Sequence, residues 1–241
     1  MTSELPAPPS EPRRGRPWRV EVPWIFMPIT LLAVIGVITA EIFLISRFFP
    51  RFHHLLTEGI IQASMVTTAL LVFALVPPCG KLADKLGLRK LRRGDLGIVL
   101  LGLVLIYAWQ FSTMPLWTRV LEYLNLQGDQ QQELLTECGR SSFPKFLGML
   151  ALAGVLIPFV EEVLHRRVLF GFCRPLGVWP ALIATALIFS ALHGFLHGFA
   201  VLFGLGAVFQ WQYLCTGNLW TSTLTHMIFN TISLTLTFLL G

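Results

Sequence analysis

The charged residues stop long before the end of the chain: from Pro175 to Gly241 there is no Asp, Glu, Lys or Arg. Of all 241 residues only 13% are charged and 54% are hydrophobic, whereas soluble domains are about 25% charged. Apolar runs of about 20 residues, the length that crosses a bilayer, recur along the sequence. The sequence therefore predicts an all-α, polytopic transmembrane helix bundle.

About seven spans, six to eight, are expected from the apolar runs. They are placed at Trp24–Ser46, 59–77, 97–115, about 144–172, 179–197, 198–215 and 218–240. The polar stretch 116–143 is predicted to be an extramembrane loop or a surface helix. Ser141 and Ser142 ahead of Pro144 predict the start of the fourth span, because Pro suits the first turn of a helix. The expected domains are a disordered basic tail (1–22), N-terminal membrane helices (23–143) and a C-terminal core (144–241).

The net charge of +5 comes from short Lys and Arg clusters between apolar runs. Such clusters mark cytoplasmic loops, so they indicate orientation and argue against a nucleic-acid partner. The tail and the loop 79–94 are both basic, which predicts a cytoplasmic N-terminus in a plasma (inner) membrane. The four cysteines have no zinc-ligand spacing.

Three groups of polar residues interrupt the apolar C-terminal half, where a charged side chain costs about 2.5–3.5 kcal/mol on insertion scales. The first is Glu161-Glu162-Val163-Leu164-His165-Arg166-Arg167. Glu162 and Arg166 are four residues apart and can pair on one helix face. Glu161 and His165 share another face, so one carboxylate can be held while the other stays free. A helix that ends at the headgroups is the structural alternative.

The other two groups carry imidazoles. His193 and His197 are expected to share a helix face in the fifth span, and His226 and Asn230 another in the last span. Satisfied packing residues or a structural hydrogen-bonded pair are the alternatives. From the cytoplasmic helix ends, Glu161, His193 and His226 lie about 18, 21 and 12 Å deep at 1.5 Å per residue. Three helices can therefore bring a carboxylate, two imidazoles and an amide together.

At these positions the sequence resembles the CAAX-protease and bacteriocin-processing family of intramembrane proteases. Its three motifs correspond here to Glu161-Glu162…Arg166, Phe189…His193 and His226…Asn230, in this order. The stretch from Gln212 to Asn230 is also similar to this family, and the resemblance spans roughly residues 144–235.

The resemblance implies an intramembrane endopeptidase that cleaves membrane-associated proteins or peptides. Glu161 would activate water, assisted by His193. His226 and Asn230 would stabilise the oxyanion, and Arg166 would orient the carboxylates through Glu162. Either no cofactor or zinc is implied, with Glu161, His193 and His226 as the ligands if a metal binds.

Two positions depart from the family pattern: His165 stands in place of an aromatic residue, and Arg167 in place of Gly. They leave a non-catalytic scaffold or immunity-type protein of the same fold as the alternative function. A small transporter or proton relay is a third possibility, since intramembrane Glu and His also serve there.

Overall fold

The computed structural model describes residues 86–126, 138 and 140–240, which form helices and no strand. This agrees with the predicted all-α class. Along this part of the chain the helices are α1 (Arg93–Tyr123), α2 (Phe143–Leu176), α3 (Val178–Leu192), α4 (Phe199–Thr216) and α5 (Leu219–Leu240). The predicted tail at 1–22 and the predicted spans Trp24–Ser46 and 59–77 lie outside the described residues.

Helix α1 is longer than the predicted span 97–115. It has 31 residues, or about 46 Å at 1.5 Å per residue. The Asp95 carboxylate accepts the Arg92 backbone N–H at 3.0 Å and closes the first turn. At the other end the helix continues past Pro115, and Leu121 is buried in the bundle. The predicted polar segment 116–143 therefore begins as a continuation of α1.

Helix α2 starts as its sequence predicts, with Ser142 as the N-cap and Pro144 in the first turn. It changes hydrogen-bond register twice, through the π-helical segments Leu150–Leu156 and Val163–Leu169. In a π-helix each N–H binds the carbonyl five residues earlier, a geometry that often marks functional sites. The short α-helical segment Ile157–Glu162 lies between them. The two neighbouring carboxylates end this segment.

Helix α3 is shorter than the predicted span 179–197, and that prediction is wrong beyond Leu192. His193 caps the helix and Gly194 adopts a left-handed φ of 61°, which favours glycine. The chain then turns until Gly198, the N-cap of α4. His193 and His197 therefore do not share a helix face, because the glycine after His193 ends the helix.

Helices α4 and α5 match the predicted spans 198–215 and 218–240 closely. Between them Gly217 adopts a left-handed φ of 61°, and Asn218 binds the segment that precedes α1. The Asn218 side chain accepts the Arg89 N–H and donates to the Arg89 carbonyl, both at 3.2 Å. This double contact fixes the basic segment before α1 against the α4–α5 turn.

Helix α4 lies at the centre and packs against α1, α3 and α5. Its buried Phe209 joins Phe189 of α3 and Ile106 of α1 in one apolar cluster.

In the described part of the chain α1, α2, α4 and α5 are long and apolar enough to cross a membrane, and α3 is shorter. At 15 residues, α3 extends about 22 Å, less than the roughly 30 Å of a hydrocarbon core. The protein is an integral membrane protein.

Candidate active site

An ion pair is buried on α2. The Arg166 guanidinium binds both Glu162 carboxylate oxygens, at 2.8 Å from Nε and 3.1 Å from Nη2. Neither side chain is exposed. Nη1 of Arg166 donates to the Gly206 carbonyl at 3.2 Å and to Gln210 Oε1 at 3.4 Å, both on α4. Because a buried charge is tolerated only when it is paired and hydrogen-bonded, this network holds Glu162 in one position.

Glu161 is less buried than Glu162 and is not held by Arg166. Its side chain is 15% exposed, and its Oε2 lies 3.7 Å from Nε2 of His226. That separation is too long for a hydrogen bond. The carboxylate of Glu161 is therefore the one that remains available to accept a proton.

His226 of α5 lies between the two carboxylates. Its Nδ1 is 3.3 Å from Glu162 Oε1, while its Nε2 faces Glu161. The ring stacks on Phe209 with centroids 4.6 Å apart and meets Phe189 edge-on at 5.9 Å. The predicted approach of α5 to the carboxylates on α2 is therefore present in the structure.

His193 lies at the end of α3 and contacts Phe189. Its Nδ1 is 2.7 Å from the Phe189 carbonyl, which can only accept, so Nδ1 carries a proton. In the neutral imidazole Nε2 then keeps its lone pair. The buried Phe189 ring contacts the imidazoles of both His193 and His226, with centroid distances of 4.7 Å and 5.9 Å. The aromatic residue of the second motif thus packs against both histidines.

Asn230 lies one turn beyond His226 on α5. Its amide Nδ2 donates to the Ala153 carbonyl of α2 at 3.0 Å. One of its two amide N–H groups is thus engaged with the backbone of the helix that carries the carboxylates.

The two departures from the family pattern are both buried. Nδ1 of His165 donates to the Glu161 backbone carbonyl at 2.8 Å, and its ring packs edge-on against Phe189. The Arg167 guanidinium donates to the Tyr213 hydroxyl at 2.6 Å. His165 therefore contacts the backbone carbonyl of Glu161. The two side chains do not form a pair, although the four-residue spacing places them on one helix face.

Gln210 and Phe209 both contact the site but are not among the site residues predicted from the sequence. Gln210 is fully buried beside Arg166, and Phe209 stacks on His226. A glutamine inside a charge-free apolar run was the available signal for Gln210. Phe209 carried no signal, because phenylalanine is common in such runs.

Two tryptophans of α1 hold the turn after His193 and the start of α4. Trp117 Nε1 donates to the Leu196 carbonyl and Trp109 Nε1 to the Ala200 carbonyl, both at 2.9 Å. A Cβ on Gly204 would overlap the Trp109 indole, so that ring packs closely on α4. Non-helical backbone within a membrane requires such partners.

Replacing Trp117 with Phe keeps an aromatic ring and removes the N–H donor to the His193–Gly198 turn. We expect the thermal midpoint in detergent to fall by a few degrees, since one hydrogen bond contributes about 1 kcal/mol. Trp179→Phe is the matched control, because Trp179 is 70% exposed. Equal midpoints for the two variants would contradict the role of Trp117.

The described residues include no group of three or more His, Cys, Asp and Glu side chains arranged to hold a metal ion. The predicted ligand set was Glu161, His193 and His226. In both histidines Nδ1 is already engaged, with Phe189 and Glu162 respectively. A metal would therefore have to bind through Nε2 in each case.

Comparison with known proteins identifies the region that carries this site. Residues 143–232 match the Rce1-like family of type II CAAX prenyl endopeptidases. The resemblance seen in the three motifs is thereby confirmed. No curated protein and no solved structure matches the chain. The Rce1-like region contains the whole cluster from Glu161 to Asn230, whereas α1 with its two tryptophans lies before it.

Proposed function

We propose that this protein is an intramembrane endopeptidase that hydrolyses a peptide bond with water activated by Glu161. The observation that carries the proposal is that two adjacent carboxylates differ in burial and in hydrogen bonding. Glu162 is fully buried and held by Arg166, while Glu161 is partly exposed and has no hydrogen bond to His226. A general base needs both a fixed position and a free acceptor oxygen.

In the proposed reaction Glu161 removes a proton from water, and the water oxygen attacks the scissile carbonyl carbon. The carbonyl π electrons move to its oxygen, which becomes the oxyanion. When the intermediate collapses, the C–N bond breaks and Glu161 returns its proton to the leaving amine. The products are one new carboxyl terminus and one new amino terminus.

The three remaining polar groups have supporting roles in this proposal. The free lone pair on Nε2 of His193 accepts a hydrogen bond from the attacking water. In its doubly protonated form His226 donates from Nδ1 to Glu162 and from Nε2 to the oxyanion. Asn230 donates from its second amide N–H. Fixed donors at such a site typically contribute about 10²–10³-fold each to kcat.

The family description suggests prenylated CAAX peptides as the first substrates to test, with leader or sorting peptides as other membrane-associated candidates. The protein would be reconstituted in liposomes and given a farnesylated CAAX peptide and its unprenylated counterpart. Release of the terminal tripeptide from the farnesylated form alone would support the prenyl-specific activity. Cleavage of neither, with intact folding, would exclude this CAAX peptide as a substrate and make leader or sorting peptides the next to test.

We propose that the basic segment before α1 lies on the cytoplasmic side of the plasma (inner) membrane, as positive clusters do. Arg89, Lys90 and Arg92 are exposed there, and Arg93 is exposed at the start of α1. The N-terminus would be on the same side if two spans precede this segment. Protease protection of tags placed at either terminus of the full chain would test the orientation.

Zinc dependence can be tested directly on the reconstituted protein. We expect prolonged treatment with a strong chelator to leave kcat within about twofold, because Glu161 can activate water without a metal. Restoration of lost activity by added Zn²⁺ would contradict the metal-free mechanism. It would then point to Glu161 and the Nε2 atoms of His193 and His226 as ligands.

A further inference from the structure

Helices α2 and α5 make a close contact away from the carboxylates. A Cβ on Gly154 would lie 3.1 Å from Thr231 Oγ1, so the helices approach closely because this residue is a glycine. At the neighbouring positions Asn230 Nδ2 donates to the Ala153 carbonyl at 3.0 Å. Ala153 is itself only 4% exposed. The hydrogen bond therefore joins two helices inside the bundle.

The Ala153 carbonyl is available because of the local backbone register. At the end of the first π-helical segment the Ile157 N–H donates to the Leu152 carbonyl, five residues earlier. In the same register the Ala153 carbonyl would accept from residue 158. Residue 158 is proline, which has no N–H. The π register and Pro158 together leave the Ala153 carbonyl without a partner in its own helix.

A buried carbonyl without a donor costs about 1–3 kcal/mol, so the Asn230 amide satisfies a real requirement of α2. The contact also selects the orientation of the amide. If the amide were turned over, its Oδ1 would face the Ala153 carbonyl and two acceptors would repel each other. With Nδ2 facing Ala153, the second N–H on the same nitrogen remains for another acceptor.

We propose that the Ala153 carbonyl, released by the π register and by Pro158, holds the Asn230 amide in the orientation that donates to the oxyanion. Pro158 is thus a positioning residue that acts through the carbonyl and touches no substrate. The catalytic half of this inference rests on the proposed function. The structural half, which is the coupling between position 158 and Asn230, is independent of any activity.

The structural half predicts that the effect of Pro158→Ala on stability depends on whether Asn230 is present. Pro158→Ala introduces an N–H that can donate to the Ala153 carbonyl. In the Asn230→Ala background that carbonyl lacks its partner, so Pro158→Ala should raise the thermal midpoint by about 2–4 °C. In the otherwise wild-type protein it should give no such gain, because Asn230 already satisfies the carbonyl. Pro144→Ala, a proline removal in the first turn of α2, is the control and should behave alike in both backgrounds.

The catalytic half is read from kcat and KM on a peptide that the wild type cleaves. Pro158→Ala should lower kcat about tenfold with KM nearly unchanged, because the new N–H competes for the carbonyl and loosens the amide. In the Asn230→Ala background it should have no further effect on kcat. Equal losses in both backgrounds would show that Pro158 acts through helix shape and would overturn the positioning role.

The two possible failures are distinguishable. If the wild type cleaves nothing, the proposed function fails while the midpoint experiment still decides the coupling. If Pro158→Ala changes the midpoint equally in both backgrounds, the coupling is absent and this inference fails, whatever the activity.

Discussion

Glu161→Gln is expected to abolish peptide cleavage while leaving the protein folded. The amide has the size of the carboxylate but cannot take a proton from water, and the ion pair beside it is untouched. General-base groups contribute about 10²–10⁴-fold to rate, so kcat should fall by about 10³. Initial rates would be measured in liposomes in H₂¹⁸O. For the wild type, one ¹⁸O should appear in the new carboxyl terminus.

Glu122→Gln is the matched control for this prediction. Glu122 is an exposed carboxylate on α1, and its loss should leave kcat unchanged. A Glu161→Gln variant that retains wild-type kcat would remove Glu161 from the mechanism. A product without ¹⁸O would exclude direct attack by water, even if the variant is inactive.

Arg166→Met is expected to destabilise the protein by about 3–5 kcal/mol, because it leaves the Glu162 carboxylate buried without its cation. The side chain of Glu162 is 0% exposed in the pair, so water cannot replace the guanidinium. The measurement is the free energy of unfolding in mixed micelles, followed by intrinsic tryptophan fluorescence. Activity should be lost as well, since Glu162 and His226 are positioned through this pair.

The Glu162→Gln/Arg166→Met double variant tests the cause of that loss. Removing both charges leaves no uncompensated ion, so the double variant should be clearly more stable than Arg166→Met alone. The free energy of unfolding is also measured for Glu162→Gln alone. If the double variant is destabilised by the sum of the two single destabilisations, the side chains contribute through packing and not through their charges.

Much of the fold follows from local sequence features. Ser142 ahead of Pro144 starts α2, and the apolar runs that flank Gly217 become α4 and α5. The end of α3 was mispredicted because the apolar run continues to Leu196, whereas Gly194 takes a left-handed conformation that hydropathy does not report. Beyond Pro115, Trp117 of α1 donates to the Leu196 carbonyl and packs against Phe199 of α4. These contacts exist only in the assembled bundle.

The residues of the candidate site could be selected from the sequence because polar groups are rare in an apolar background. Their individual contacts could not. One contact is an exception: the four-residue spacing predicts that Glu162 binds Arg166, and the structure has that pair. The contact of Asn230 with Ala153, by contrast, depends on a π register that no spacing rule reveals. Gln210 completes the Arg166 network from another helix, and only the packing of α2 on α4 shows this.

The most direct test of the central claim compares the membranes of the native host with wild-type protein or with Glu161→Gln at matched levels. Peptide termini across the proteome would be identified by mass spectrometry. The proposed protease predicts pairs of new termini that appear only with the wild type, and these would also name the substrates. Identical profiles, in a host that still requires the protein, would contradict proteolysis that depends on Glu161 and would favour the scaffold function.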